Sequence, residues 1–316
     1  MKEASEKMYH LVLSSGTPDV ICRDDHDYTA LENSIALTVF KTCITLLAYA
    51  VMSTHCHIAL VCTCPDDFIK ILKISYTKHF NSKYRRRGIL FESDTYCRPV
   101  TGYLRQRVLL SYILRNPVHH GVAETAFRYP HSSIASYFRD GDNGILLPGI
   151  SNSCSGHGRL KIKKGTGYVY YDLDENGRIP LRYFVNAGRT EYLYRTERSF
   201  IHQLNRWNTE DWEREQIKEY PQDEIITLTG AEPGFESEIE EMRAYERGAW
   251  RLRITDMEVC GYIDRVLLPE TGIQSYTMLD SRQLPSVINA VQRKFHIRDE
   301  QILRCLGLHA MPNVIR

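Results

Sequence analysis

The sequence predicts an α+β fold in which a mainly antiparallel sheet is covered by helices on one side. Three observations indicate this class. Two β-prone runs, Ile44–Met52 and Ile58–Val61, follow each other across the short junction Ser53-Thr54, as neighbouring antiparallel strands do. Helical periods lie on both sides of these runs. A segment rich in Gly, Ser and Asn, residues 141–158, then separates this part from the rest of the chain.

The first elements follow from local periodicity. Tyr9–Ser14 is a short β-prone run that predicts a strand, and a polar loop with several aspartates follows it. The apolar spacing between residues 28 and 41 predicts a helix, which leads into the two strands at Ile44–Met52 and Ile58–Val61.

The second half of this region begins at Pro65-Asp66-Asp67, which predicts a helix start because proline and acidic residues suit the first turn. Gly88–Val100 predicts a short hairpin or loop. Gly102–Asn116 predicts a third helix, which should stop at Pro117 because proline lacks a backbone N–H. The predicted order is strand, helix, two strands, helix, small β element and helix. This order resembles a ferredoxin-like fold.

We expect four parts in the chain: a domain at 1–140, a linker at 141–158, an extension at 159–270 and a small helical module at 271–316. In the extension, Lys161–Ile179 predicts a hairpin turning at Glu175-Asn176-Gly177, and 182–208 predicts a helix. In the module, helices are predicted at 283–295, at 299–306 and from Pro312, with Asp299 as N-cap and Gly307 as stop. This order resembles a helix-turn-helix, although its last helix would have barely one turn, so DNA binding and a packing role both stay open.

Composition excludes several classes of protein. Hydrophobic residues make up 43% and charged residues 25% of the chain, which argues against global disorder. The longest apolar stretch, Cys43–Met52, is shorter than the roughly 20 residues of a membrane span, and the first residues are polar, so we expect a soluble, cytoplasmic protein. Nine cysteines without regular spacing indicate reduced thiols.

Charge is unevenly distributed along the chain. Between Phe68 and His120, eleven basic residues stand against two acidic ones, which predicts a surface for a polyanion. Between Thr209 and Arg247, thirteen acidic residues stand against four basic ones, so that stretch should avoid DNA. The candidates for contact with phosphates are Lys70, Lys73, Lys83, Arg85, Arg86 and Arg87. A solvated basic helix face is the alternative interpretation.

Two pairs of residues could carry chemistry. His55 and His57 would point to the same side of a strand, about 6.6 Å apart along the backbone, where two imidazoles can share a metal ion. Tyr112 and Asn116 are four residues apart and would share one face of a helix. Each pair alone also fits a structural role, as packed histidines, a core tyrosine and a cap before proline. A zinc site with the cysteines at 56, 62 and 64 is a weaker alternative, because no second Cys-x-x-Cys pair accompanies them.

Four blocks in this order and spacing resemble the one-tyrosine HUH transposases, and most of all the REP-associated tyrosine transposases and the related single-strand insertion-sequence enzymes. The blocks are AYAVMSTHCHIAL (48–60), KHFNSKYRRRGILFE (78–92), SYILRNPVHHGV (111–122) and RYPHSS (128–133), within a resemblance that covers about residues 9–137. It implies that His55, His57 and Asn116 bind a divalent metal, Mg²⁺ or Mn²⁺, and that Tyr112 is the nucleophile. Two positions depart from the family: Ser53-Thr54 replaces its usual Pro-Asn or Asp-Asn, and Thr95 replaces an arginine before Tyr96.

The resemblance implies a nuclease and strand transferase that acts on single-stranded DNA through a 5′-phosphotyrosine intermediate, on hairpin-bearing DNA of a transposon or repeat element. Such a protein would associate with the bacterial nucleoid, as a monomer or homodimer, with no membrane partner. The alternative is a catalytically inactive, domesticated DNA-binding regulator. Tyr84, Tyr96 and Tyr103 are possible stacking platforms for bases, with core or surface packing as the alternative, and contact of His119 and His120 with DNA stays open.

Overall fold

A computed structural model describes residues 5–15, 19–139, 158–164, 167–206, 213–214, 216–218, 225–227, 231 and 253–308. The predicted linker, apart from Gly158, lies outside the described residues. So do most of the predicted acidic stretch and the helix expected from Pro312.

A four-stranded antiparallel sheet forms the centre of the fold. Its strands are β1 (Lys7–Ser14), β2 (Thr45–Val51), β3 (His55–Cys62) and β4 (Tyr96–Val100), in the order β2-β3-β1-β4. Every neighbouring pair is antiparallel, and a bulge between Leu46 and Ala48 is the irregularity in the β2–β3 pairing. This order is that of the ferredoxin-like fold, so the predicted α+β class is confirmed. The predicted strand at 58–61 begins three residues earlier, which places both histidines of the His-x-His pair within β3.

The two faces of the sheet differ. On one face α1 (Asp25–Thr42) and α2 (Asp66–Tyr84) pack against each other, and the Tyr49 hydroxyl of β2 donates to Glu32 of α1 over 3.4 Å. On the other face α3 (Tyr103–His119) contacts β2 and β3, so helices cover both sides of the sheet and the prediction of helices on one side was wrong. Residues opposite one another in antiparallel strands share a face, so Val12 and Ala50 flank His57 on the α3 side.

From Val108 to Pro117 every residue of α3 is buried, and α4 (Ala187–Tyr194) and α5 (Glu197–Arg206) contact this helix. The hydroxyls of Ser111 and Tyr194 lie 2.8 Å apart across this contact. The helix ends at His119, two residues beyond Pro117, about which the stop was predicted. The missing N–H of a proline removes one hydrogen bond, and this close to a helix end the loss does not prevent the last residues from staying helical.

The predicted hairpin exists, but its turn was misplaced. β5 (Arg159–Lys164) pairs with β6 (Gly167–Asp172), so the strands turn before Gly167. The Asn-Gly segment follows β6 and makes a separate turn, in which the Asp174 carboxylate accepts hydrogen bonds from the backbone N–H groups of Asn176 and Arg178. Asn33 of α1 holds this turn through Gly177 O and Ile179 N–H. The helix predicted over 182–208 is divided into α4 and α5 at Arg195, whose φ of 66° lies in the left-handed region.

Residues 253–308, here called the C-terminal unit, contain α6 (Asp256–Tyr262), a π-helical turn (Ile263–Leu267), α7 (Leu268–Thr271), α8 (Leu284–Phe295) and α9 (Asp299–Leu306). Gly307 ends α9 at a φ of 64°, which confirms the predicted stop. Asp299 is not the N-cap of α9. Arg298 occupies that position, and the Asp299 carboxylate accepts from Gln292 instead.

A buried arginine and a buried aspartate, Arg23 and Asp256, attach the C-terminal unit to the sheet domain. Arg23 is fully buried, donates to both carboxylate oxygens of Asp264 at 2.9 and 2.7 Å, and lies 3.8 Å over the Tyr276 ring. Arg304 of α9 pairs with Asp256 at 2.9 Å, and Ser53 donates to the same carboxylate at 2.7 Å. Among the described residues, no helix is both long and apolar enough to cross a membrane.

Candidate active site

The structure brings together the four residues that the sequence singled out. His55 and His57 point from β3 toward α3, where Asn116 lies between them. His55 Nε2 is 3.3 Å from Asn116 Oδ1, and Asn116 Nδ2 is 3.2 Å from His57 Nε2. The predicted metal ligands therefore meet at one point between the sheet and α3.

The remaining nitrogens of the two imidazoles are held by other residues. Thr54 Oγ1 lies 2.9 Å from His55 Nδ1, and His10 Nε2 of β1 lies 3.0 Å from His57 Nδ1. Partners on Nδ1 fix the orientation of a metal-binding imidazole and leave Nε2 for the metal. Because both Nε2 atoms converge on an amide that also offers an oxygen, the donor set fits a divalent metal.

Tyr112 stands beside this ligand set. Its ring is perpendicular to the His57 ring, with centroids 5.8 Å apart, and it stacks on His119 at 5.5 Å. Tyr112 is 1% exposed, and the exposed fraction of His55, His57 and Asn116 is 0%. A phosphate could reach Tyr112 only if the surrounding side chains moved, so the site is closed in this structure.

Three further histidines surround the site. His10, His119 and His120 are all buried, and the His120 ring lies 5.2 Å from that of His55. The sequence interpretation did not include His10 and left His119 and His120 open. The alternation of side chains along β1 points to His10. It lies on the same face as Val12, two positions away, and Val12 pairs with His57 while His10 pairs with Ala59.

The cysteines are not arranged as a zinc site. Cys56 lies between the two histidines in sequence, so its side chain points to the opposite face of the sheet. Burial raises the pKa of the Cys56 thiol well above its ordinary value and that of Cys62 to about 11. Cys64 is exposed beyond the end of β3.

A second group of potential metal ligands lies on the other side of the sheet. In the part of the chain that the structure describes, His26, Asp27 and His79 have ligand atoms within 4.8 Å of one another. However, Lys83 Nζ lies 2.7 Å from Asp27 Oδ1, and Tyr84 donates to Asp27 Oδ2 at 2.7 Å. A metal ion there would have to displace a lysine, so the site between β3 and α3 fits a metal better.

The predicted phosphate contacts lie on or just after α2, on the face opposite the histidines. Lys83 pairs with Asp24 and Asp27 at 2.6 and 2.7 Å, and Lys73 donates to Thr95 Oγ1 at 2.8 Å and to the backbone of the loop before β4. Arg86 donates to Ile89 O at 2.9 Å, while Lys70, Arg85 and Arg87 are exposed. The exposed members of this group thus lie on the side of the sheet away from the histidines.

Other basic residues lie closer to the candidate site. Tyr96 and Arg98 of β4 pair with Val12 and His10 of β1, and therefore share the histidine face. The Tyr96 ring lies 5.4 Å from the His10 ring. Of the other tyrosines considered for stacking, Tyr84 is buried against Asp27, and Tyr103 donates to Leu193 O at 2.5 Å. Tyr96 and Arg98 thus lie on the histidine side of the sheet, whereas the residues of α2 lie on the other side.

Comparison with solved structures gives several matches, which include two transposases. No family model matches the sequence, and no curated protein matches it. A REP-associated tyrosine transposase bound to a REP hairpin aligns with a TM-score of 0.37 and 14% identity, over 41% of this chain and 78% of that one. A candidate transposase from Deinococcus radiodurans R1 aligns with a TM-score of 0.28 and 19% identity, over 34% of this chain and 89% of that one. At these TM-scores the chain's function has to be argued from the residues of its own site.

Proposed function

We propose that the protein is a metal-dependent nuclease and strand transferase for single-stranded DNA, with Tyr112 as nucleophile. The observation that carries the proposal is the convergence of His55, His57 and Asn116 on one point next to the Tyr112 ring. The four sequence blocks that resemble one-tyrosine HUH transposases supply the same four residues independently of this geometry. Hairpin-bearing DNA of a transposon or repeat element is the proposed substrate.

Each residue has a defined part in the proposed reaction. His55, His57 and Asn116 would hold Mg²⁺ or Mn²⁺, which when bound withdraws charge from the oxygens of the scissile phosphate. The phenolic oxygen of Tyr112 attacks phosphorus, and the bond from phosphorus to the 3′ oxygen breaks. The phenol loses its proton and the departing 3′ oxygen gains one. The 5′-phosphotyrosine ester keeps the phosphodiester bond energy, so a second 3′-hydroxyl can reverse the step without ATP.

The residues around Tyr112 prepare this attack. His57 and His119 contact its ring on two sides and fix its position, and Thr54 and His10 fix the two ligand imidazoles. Such preorganisation places a nucleophile near its target without the entropy cost of ordering it during the reaction.

The test is a search for a covalent adduct. The full chain is incubated with labelled hairpin-bearing single strands and Mn²⁺ or Mg²⁺, and denaturing gels show protein-linked label. Adduct is expected with the wild type and with Tyr49→Phe, which removes a buried hydroxyl on the opposite face of the sheet. It should be absent with Tyr112→Phe. If no metal and no strand gives an adduct while the wild type binds these strands tightly, the alternative of an inactive DNA-binding regulator is correct.

A further inference from the structure

A cavity of about 350 Å³ adjoins the candidate active site, and His55 and His120 lie in its wall. Small-molecule sites in proteins usually measure about 300–1,000 Å³, so this cavity has room for one nucleoside-sized group. The sheet domain supplies one part of its wall and the C-terminal unit supplies another, including Ile254 and Met257.

The wall has an apolar side. Met52, Ala123 and Tyr129 form a small hydrophobic cluster separate from the main core, and all three line the cavity. The Tyr129 ring is fixed in place because its hydroxyl donates to Val51 O at 2.5 Å. An apolar wall with a fixed aromatic ring is suited to the flat face of a base.

The charged lining residues balance one another. They are Arg128, Arg253, Arg304, Asp25, Glu124 and Asp256. Two of the arginines are paired within the wall, Arg128 with Glu124 at 2.6 Å and Arg304 with Asp256 at 2.9 Å. A site built for a phosphate would carry an excess of positive charge. The balance favours a neutral group with polar edges.

The C-terminal unit connects this cavity to the metal ligands. Arg253 contributes to the wall, its backbone N–H donates to Gly121 O at 3.0 Å and its guanidinium donates to His120 O at 3.4 Å. Asp256 accepts from Ser53 in the junction that leads into His55. A group bound in the cavity would therefore touch the residues that position the site.

We propose that this cavity binds the base of one unpaired nucleotide next to the phosphate that Tyr112 attacks. The inference rests on the proposed function, because it assigns the neighbouring phosphate to that site. A base extruded from its strand would lie against the ring of Tyr129, with its polar edge toward residues such as Thr54 and His120. The C-terminal unit would thereby take part in selecting the cleavage position.

The test uses the full chain with ¹³C-labelled methionine methyl groups. Met52 and Met257 line the cavity, while Met278 is 51% exposed elsewhere and serves as an internal reference. The probes are the four deoxynucleoside 5′-monophosphates, with deoxyribose 5-phosphate as the control without a base. We expect at least one nucleotide to shift the Met52 and Met257 signals saturably, at least about tenfold more tightly than the control.

Two matched tryptophan variants locate the binding. Ile254→Trp fills the cavity from a residue that is 36% exposed, and this change should abolish the nucleotide-dependent shifts. Val266→Trp adds the same ring to a residue of the same unit that is 40% exposed, and should leave them unchanged. An unaltered Met278 signal in both variants reports that the unit remains folded.

The inference is overturned if no nucleotide shifts Met52 and Met257, if deoxyribose 5-phosphate shifts them equally well, or if Ile254→Trp leaves binding intact. Its failure is distinguishable from failure of the proposed function. Tyr112→Phe should lose the covalent adduct and keep the nucleotide shifts. Wild-type shifts without any adduct would refute the proposed function alone, and adduct formation without shifts would refute this inference alone.

Discussion

Replacing His10 by phenylalanine should weaken metal binding although His10 is not a proposed ligand. His10 is 2% exposed, and its Nε2 lies 3.0 Å from His57 Nδ1. When His57 offers Nε2 to a metal, its Nδ1–H must donate, and His10 is the acceptor that keeps the ring in that orientation. Phenylalanine retains a ring of similar size and removes the acceptor. Loss of such an outer partner typically lowers metal affinity about 10–100-fold.

The assay is a titration of the full chain with Mn²⁺, in which electron paramagnetic resonance reports the free ion. The dissociation constant of His10→Phe should rise about 10–100-fold over the wild type. His79→Phe is the matched control, because it alters a histidine of the second group of potential ligands. Its dissociation constant should equal that of the wild type. Unchanged affinity in His10→Phe together with lost affinity in His79→Phe would place the metal at His26, Asp27 and His79 and refute the reasoning.

Three further predictions concern the C-terminal unit and the basic surface. Arg304→Ala leaves the buried Asp256 carboxylate without its cation, so it should lower the free energy of unfolding by about 3–5 kcal/mol in urea titrations. Arg293 is exposed, and Arg293→Ala should change this free energy little. Equal effects of the two changes would contradict the assigned ion pair. Burial alone would raise the pKa of Asp256, but the charge of Arg304 and the hydrogen bonds from Arg304, Ser53 and Gln301 together hold this pKa below its ordinary value. This stabilisation should therefore be complete above about pH 4 and be lost as pH falls through the lowered pKa. Unfolding midpoints recorded between about pH 6 and 2 check this sign, and a midpoint that rises on acidification would oppose it. Lys70→Ala should reduce the slope of log affinity for single strands against log salt concentration by about 0.7, without changing stability. Lys83→Ala should destabilise the fold because the partners of Lys83 are carboxylates. Equal loss of DNA affinity with no loss of stability in both variants would argue against this distinction.

Much of the sheet domain could be predicted from sequence because its signals are local. The four-residue spacing that begins at Phe68 and the proline at the start of α2 are properties of a short segment, and the structure has the expected helix there. The same holds for the histidine pair, whose shared face follows from the alternation of side chains in a strand.

The parts that could not be predicted depend on contacts between distant segments. His10 contacts His57 across 47 positions, which requires the register of β1 and β3. Lys83 has the spacing of a solvated residue in α2, and only the fold brings it to Asp24 and Asp27, more than fifty positions earlier in the chain. Asn176-Gly177 has the composition of a hairpin turn, but it forms a separate turn against α1. Asp174 accepts from the backbone N–H of Asn176 in this turn, and Asn33 of α1 donates to Gly177 O.

The same reason explains why the role of the C-terminal unit was not visible in sequence. The capping box from Thr255 to Glu258 marks a helix start around Asp256 but does not indicate the contact with Ser53, which spans 203 positions. The predicted domain boundaries stay predictions. The contacts nevertheless connect residues 253–308 to the segment before His55.

Identifying the residue that is joined to DNA tests the assignment of Tyr112 as nucleophile most directly. The wild-type chain is incubated with a hairpin-bearing strand and Mn²⁺, digested with protease and nuclease, and analysed by tandem mass spectrometry. A nucleotide joined through its 5′ phosphate to the peptide that contains Tyr112 is the predicted product. Attachment at any other residue, or cleaved DNA with no attached peptide, would contradict the assignment of Tyr112 as nucleophile.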